Sequence, residues 1–228
     1  MEISEAMQAR RAVRRFRADI LPREAVERLR REIDACNEYG RLSVRLVTGE
    51  PTAFGGLLGR AAGFRNARNY LVLSGRPDAD LEVRCGYWGE HLVLTAKTLG
   101  IDSCWVGGSV NRRVAAKACG KGERYVCAIA LGIGDEPGSV HTRKAFDDVI
   151  DADRSRILPD WFVRGVNAAL LAPTAMNRQR FVISLDPPDR VDAATTGGLY
   201  SFVDLGIVMY HFEAGAGKDN FRWVNPLL

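Results

Sequence analysis

The sequence has little histidine, no paired cysteines and no long apolar run, and each shortage removes a class of function. Three histidines (His91, His141, His211) and five cysteines (Cys36, Cys85, Cys104, Cys119, Cys127) are scattered over 228 residues. There is no C-x-x-C pair and no spacing of a zinc site, so no metal is expected. An odd cysteine count, behind an N-terminus (MEISEAMQARRAVRRF) that carries acids and arginines where a signal core would be apolar, predicts a reducing, cytoplasmic setting. No stretch reaches the roughly 18 apolar residues of a membrane span, so no membrane partner is expected. Lysine is scarce: 5 of the 32 basic residues, which leaves 27 arginines. The planar arginine fork suits phosphate and carboxylate. The net charge is only +4, with acids and bases interspersed, and a nucleic-acid module would want a larger basic excess with interleaved aromatics.

Several catalytic signatures are also missing. There is no G-x-S-x-G, which leaves serine hydrolysis unsupported. Gly132-Ile-Gly134 lacks the third glycine of a dinucleotide fingerprint, and Cys119-Gly-Lys-Gly122 lacks the spacing of a P-loop. What remains has 46% hydrophobic and 26% charged residues, the proportions of an ordinary globular protein.

Periodicity supplies the elements. Residues 22–36 (PREAVERLRREIDAC) read as a helix, with Val26, Leu29 and Ile33 as its apolar stripe. Residues 88–99 and 161–171 read as further helices, stopped near Gly100 and Pro173. Residues 44–48, 70–74, 125–133 and 181–185 read as strands. This order is mixed α and β without regular βαβ spacing. It also repeats: Ile20-Leu21-Pro22 recurs as Ile157-Leu158-Pro159, an offset of 157 − 20 = 137. At that offset Val26 meets Val163, Ala35 meets Ala172 and Val44 meets Phe181. A second landmark pairs Gly86-Tyr-Trp-Gly-Glu90 with Tyr200-Ser-Phe-Val-Asp204 at an offset near 200 − 86 = 114.

Three segments can carry chemistry. Arg10-Arg11-Ala12-Val13-Arg14-Arg15-Phe16 is either a phosphate clamp or a solvated basic helix. Gly100-Ile-Asp-Ser-Cys-Trp-Val-Gly-Gly108 ends a helix in a glycine pair that lets backbone approach a flat ligand, or simply makes a tight turn. Ala172-Pro-Thr-Ala-Met-Asn-Arg-Gln179 offers donors and acceptors suited to the rim of a heterocycle, or is an ordinary connection.

Together these segments resemble the nitroreductase family. Residues 10–16 resemble its R-R-S-x-R/K-x-F segment and residues 99–108 its L-G-[LI]-G-S-C-W-[IV]-G element. Leu131-Gly-Ile-Gly134 with Arg143 resembles its later strand and phosphate arginine, and residues 172–179 resemble A-P-S-x-x-N-x-Q-P. The last motif stands one repeat later than usual, as in the duplicated branch called TM nitroreductase, which Asp204-Leu-Gly-Ile and His211-Phe-Glu213 also resemble.

The resemblance implies an α+β nitroreductase-like fold of three layers, with a central, mostly antiparallel sheet flanked by helices. Its strands would come from two unequal tandem repeats, residues 1–147 and 148–228, forming a pseudo-dimer in one compact unit. It implies FMN as cofactor, NADH or NADPH as electron donor, and a small-molecule acceptor such as a nitroaromatic or quinone. Arg10, Arg11, Ala12, Arg14 and Arg143 would hold the phosphate and the N1/O2 side. Trp105, Val106, Gly107 and Gly108 would pass along the N5 edge, and Pro173, Thr174, Ala175 and Asn177 would close the opposite side. No catalytic acid or base is named, because the cofactor carries the chemistry.

At the 137 offset Arg11 and Arg14 align with Asp148 and Asp151, which would repel a phosphate. One FMN per monomeric chain is therefore expected. Ala12 stands where the family has serine, which motivates an alternative: a flavin-binding member without activity. A basic nucleic-acid-associated module is the other.

Overall fold

The computed structural model describes residues 1–138, 141–151 and 157–225. It divides into two compact units, the first made of Met1–Leu81 with His91–Val140, the second of Glu82–Glu90 with His141–Leu228.

The first unit opens with helix α1 (Ile3–Ala9), then α2 (Arg23–Gly40), which ends four residues beyond the end that the periodicity suggested. Pro22 precedes its first turn, and Ala25, Leu29, Ile33 and Cys36 form the buried stripe. Past the helix, Asn37 exchanges two hydrogen bonds with the Val44 backbone, at 2.6 and 3.0 Å. Strand β1 (Arg45–Val47), the short helices α3 (Thr52–Gly55) and α4 (Leu57–Ala61), and β2 (Asn69–Gly75) follow. Glu50 caps α3 by accepting from the Thr52 and Ala53 N–H groups, each at 2.8 Å.

Helix α5 (Leu81–Thr98) leads to β3 (Asp102–Val106), helix α6 (Arg112–Ala115) and β4 (Arg124–Gly132). The sheet runs β1-β2-β4-β3 and is antiparallel throughout. Strand β4 is central because it is apolar on both faces, with Cys127, Ala128, Ile129, Ala130 and Leu131 all buried. Phe16, Phe54, Phe64, Tyr70, Val72 and Ala130 pack as one cluster beside it.

In the second unit, residues Glu82–Glu90 of α5 belong with helices α7 (Asp160–Ala169) and α8 (Ser201–Ala216). Strands β5 (Ile150–Asp151), β6 (Phe181–Asp186), β7 (Arg190–Thr195) and β8 (Arg222–Trp223) form a second sheet in chain order. The β6–β7 pair is antiparallel and the two outer pairs are parallel. Glycines set the helix contacts: a Cβ on Gly165 would lie 2.6 Å from the Phe212 ring, and one on Gly86 would lie 2.0 Å from the Val203 carbonyl oxygen. His211 is wholly buried between the Ala168 carbonyl at 3.1 Å and the Glu90 carboxylate at 2.9 Å.

The antiparallel sheet flanked by helices is as expected. The expectation of one central sheet needs a correction: the strands pair as two sheets of four. Residues 12 and 13 occupy the outer edge of β3, through the Ala12–Ser103 bridge and a 3.0 Å bond from Val13 N–H to the Ser103 carbonyl. That edge is therefore taken by the unit's own N-terminal segment. No described helix is long and apolar enough to cross a membrane.

Candidate functional site

The arginine-rich segment is extended, and this removes the basic-helix reading. Helix α1 stops at Ala9, and residues 12–16 bridge in turn to β3, to the 63–66 turn and to the end of β4. Val13 and Phe16 point into the core, and Phe16 fills the space that a Cβ on Gly132 would need, 2.5 Å away. Arg14 and Arg15 remain exposed, whereas Arg10 is only 6% exposed.

The charges of Arg14 and Arg10 both act on Cys104 in the middle of β3. Burial pushes the Cys104 thiol up, and the Arg14 and Arg10 guanidiniums pull against it. Two cations thus act on the strand one residue before Trp105. Arg11 does something else. Its guanidinium donates to the carbonyls of Gln8 at 2.6 Å and Arg10 at 2.8 Å, closing the end of α1. Ala12 contributes backbone to the β3 edge.

Trp105 and Val106 end strand β3 and Gly107 and Gly108 follow it. Gly108 is exposed, and a Cβ built there would meet nothing within 4 Å. The backbone past β3 therefore faces open space. Asp102 braces the start of the strand, taking 2.7 Å from the Lys97 ammonium and 3.1 Å from the Gly134 N–H.

In the second unit, Pro173, Thr174, Ala175 and Asn177 lie in a loop held in unusual backbone. Met176, Asn177 and Gln179 have φ of 52°, 52° and 47°, a left-handed conformation that costs a non-glycine residue free energy and concentrates at functional sites. Internal bonds hold it: Gln179 N–H to Thr174 Oγ1 at 3.0 Å, and Asn177 N–H to the Thr174 carbonyl at 2.9 Å.

Gln179 is buried and clamps the segment carrying Arg143. Its amide donates to the Thr142 carbonyl and accepts from the Lys144 N–H, both at 3.0 Å. Asn177 donates to the same Thr142 carbonyl at 2.9 Å. The structure thus joins the 173–177 loop to exposed Arg143, with the Asn177 amide turned toward that segment.

Sequence reasoning did not single out two supporting residues. Gln179 closes the quoted motif without having been read as an anchor. Asp204 on α8 accepts the Ala175 N–H with both carboxylate oxygens at 2.9 Å. Its signals were membership of the Asp204-Leu-Gly-Ile motif and its place at the end of the Tyr200–Asp204 landmark. Burial pushes its carboxyl up to about 6, with the Ala175 bond pulling the other way.

Known proteins now bear on this arrangement. The crystal structure of a putative nitroreductase from Thermotoga maritima MSB8 superposes with a TM-score of 0.66 at 21% identity, covering 96% of this chain and 85% of that one. An FMN-dependent nitroreductase from Clostridium difficile R20291 gives 0.50 at 15% identity, over 68% of this chain and 97% of that one. An NADPH:FMN oxidoreductase from Vibrio harveyi, complexed with NAD+, gives 0.50 at 18% identity, over 62% and 72% of the two chains. At these identities the likeness establishes the fold. No curated protein matches the sequence. The family model described as Putative TM nitroreductase matches residues 2–216, and the chain belongs to that family.

Proposed function

We propose that this protein is an FMN-dependent oxidoreductase that draws on NADH or NADPH and reduces a small acceptor such as a nitroaromatic or quinone. The observation that carries the reading is the arginine segment pinned along the edge of β3, with Arg10 buried and Arg14 exposed, beside a backbone run that is open at Gly108. A flavin needs cationic donors for its phosphate and pyrimidine side, and flat backbone along its ring edge. The first unit's donor set fits both needs. When bound, FMN supplies hydride chemistry at its N5.

The chain's own residues position and tune. Burial holds Arg10 in one place, so its guanidinium is organised before a ligand arrives. Arg14 adds a second charge from the surface. Trp105, Val106, Gly107 and Gly108 offer the ring edge. In the second unit, Arg143 and the loop of Pro173, Thr174, Ala175 and Asn177 are the proposed flavin contacts, with Gln179 and Asp204 fixing that loop. Asn177 serves by holding the Arg143 segment through Thr142. The similarity to the FMN-dependent C. difficile nitroreductase and the V. harveyi NADPH:FMN oxidoreductase supports FMN and a nicotinamide donor.

The same proposal includes an internal duplication, residues 1–147 and 148–228, with one FMN per monomeric chain. In its support, α2-β1-β2-α5 and α7-β6-β7-α8 follow the same order, and Pro22 and Pro159 each precede the first helix. Within the second unit, Gly86 lies under the Val203 carbonyl and Gly206 under the Val83 carbonyl. These pairs are reciprocal at 206 − 86 = 120 and 203 − 83 = 120, six residues beyond the aromatic landmark.

The test is a flavin titration of single variants. Arg10→Ala and Arg14→Ala each remove a charge-assisted bond and should weaken FMN by roughly ten- to a hundredfold. Arg11→Ala should leave affinity within about threefold, because Arg11 is spent on the end of α1. Unchanged binding in both of the first two variants would remove the phosphate clamp.

A further inference from the structure

A second cationic site lies in the first unit, in the excursion between β1 and β2. A cavity of about 500 Å³ is lined there by Pro51, Phe54, Phe64, Arg60, Arg65 and Arg68, among others. That volume falls in the range of small-molecule sites, roughly 300–1,000 Å³. Phe54 and Phe64 are buried and pack with ring centroids 4.9 Å apart, so part of the lining is aromatic. The three arginines are exposed, so the rim is cationic.

Among the described residues, no acid is paired with these arginines. Residues 51–68 (PTAFGGLLGRAAGFRNAR) contain the three arginines and no acid. Glu50 just before them is committed elsewhere, accepting from the Thr52 and Ala53 backbone, the Thr52 hydroxyl and the Tyr70 hydroxyl. Among the described residues, no hydrogen bond or ion pair engages the guanidinium of Arg60, Arg65 or Arg68.

The turn that presents them is held deliberately. Asn66 sits at φ 53° and donates its side-chain amide to the Phe16 carbonyl at 3.1 Å. The Arg65 backbone pairs on both sides with the arginine segment, donating to the Arg14 carbonyl and accepting from the Phe16 N–H, each at 3.0 Å. The cavity is thereby braced against the segment that carries the proposed flavin arginines.

An aromatic floor beneath three unanswered guanidiniums suits a flat heterocycle bearing a phosphate monoester. A monoester carries nearly two negative charges and three terminal oxygens, each able to accept from an arginine fork. The two phosphates of a dinucleotide bridge each carry one ester and one shared anhydride bond, which leaves one charge apiece. Of the nicotinamide donors, only NADPH carries a monoester, on its adenosine ribose. We infer that this cavity binds the adenosine end of NADPH, with Arg60, Arg65 and Arg68 around its 2′-phosphate, and so selects NADPH over NADH. The inference rests on the oxidoreductase reading for its ligand and names the donor of that reaction.

Isothermal titration of the full chain, with and without added FMN, tests this using adenosine 2′,5′-bisphosphate and adenosine 5′-phosphate as probes. The bisphosphate should bind at least roughly tenfold more tightly. Arg60→Ala, Arg65→Ala and Arg68→Ala should each erase most of that difference while leaving the monophosphate and the FMN content unchanged. Equal affinity for the two probes would overturn the inference, as would bisphosphate binding that none of the three substitutions moves. Loss of FMN in these variants, with bisphosphate affinity intact, would also overturn it by giving the arginines to the flavin phosphate. A chain that takes up no flavin yet still discriminates between the probes would retain the site and refute the flavoenzyme reading alone.

Discussion

Asp204 illustrates how a single side chain fixes a loop and what it costs. Its carboxyl meets the Ala175 N–H through both oxygens, yet it is buried enough to be pushed up to about 6 from an ordinary 3.8. The folded protein therefore holds this proton more tightly than the unfolded chain does. Between about 3.8 and 6 the folded state binds more protons, so this group's contribution to stability falls as pH rises and is flat above 6. Asp204→Asn keeps an acceptor for Ala175 without the buried charge. Its melting temperature should gain on the native protein as pH is raised from 4 to 6, and the gap should then level off. Melting curves that stay parallel across that window would contradict the assignment. Residues 173–177 stood out in the sequence through the resemblance of 172–179 to A-P-S-x-x-N-x-Q-P, since by composition alone they are an ordinary connection. Their anchor was not legible, because it stands 29 residues away.

At the scale of elements, the helix crossing at Gly86 and Gly206 is a close backbone approach in the second unit. A Cβ at either position would sit about 2 Å from a carbonyl oxygen, at Val203 or Val83. Backbone cannot step aside as a flexible side chain can, so the helices must part. Gly86→Ala and Gly206→Ala should each cost roughly 1–3 kcal/mol, despite alanine's helix preference of about 1 kcal/mol over glycine. Gly56→Ala is the control, since a Cβ there meets nothing and φ is −73°. Urea unfolding measures all three, and wild-type midpoints for both helix variants would show that the crossing is loose. The same elements explain where the sequence misled. Periodicity caught α2 and α7 because each has one buried stripe. It placed the start of α5 seven residues late, because the first turns of that helix are buried on nearly every side and carry no 3.6-residue rhythm. Strand β3 is not among the strands read from the sequence, because the glycine pair after it drew the reading of residues 100–108 to a ligand-facing backbone or a tight turn.

At the scale of the whole molecule, four modest motifs spread from residue 10 to residue 179 sufficed for the family, which the match over residues 2–216 establishes. The cavity arginines were illegible in the sequence. Arg60, Arg65 and Arg68 fit no motif, and only the turns of α3, α4 and the 63–68 segment bring them to one rim. Both proposals spend arginine on phosphate: a flavin's at Arg10, Arg14 and Arg143, and a donor's at the second cavity. The most direct test of that account is an anaerobic titration of the FMN-saturated, gel-filtered chain with NADPH, followed by a nitroaromatic or quinone. The account predicts one flavin per monomeric chain, loss of its oxidised visible band with one equivalent of NADPH, and return of the band when acceptor is added. A chain that retains no flavin, or flavin that stays oxidised with both NADPH and NADH, would contradict it.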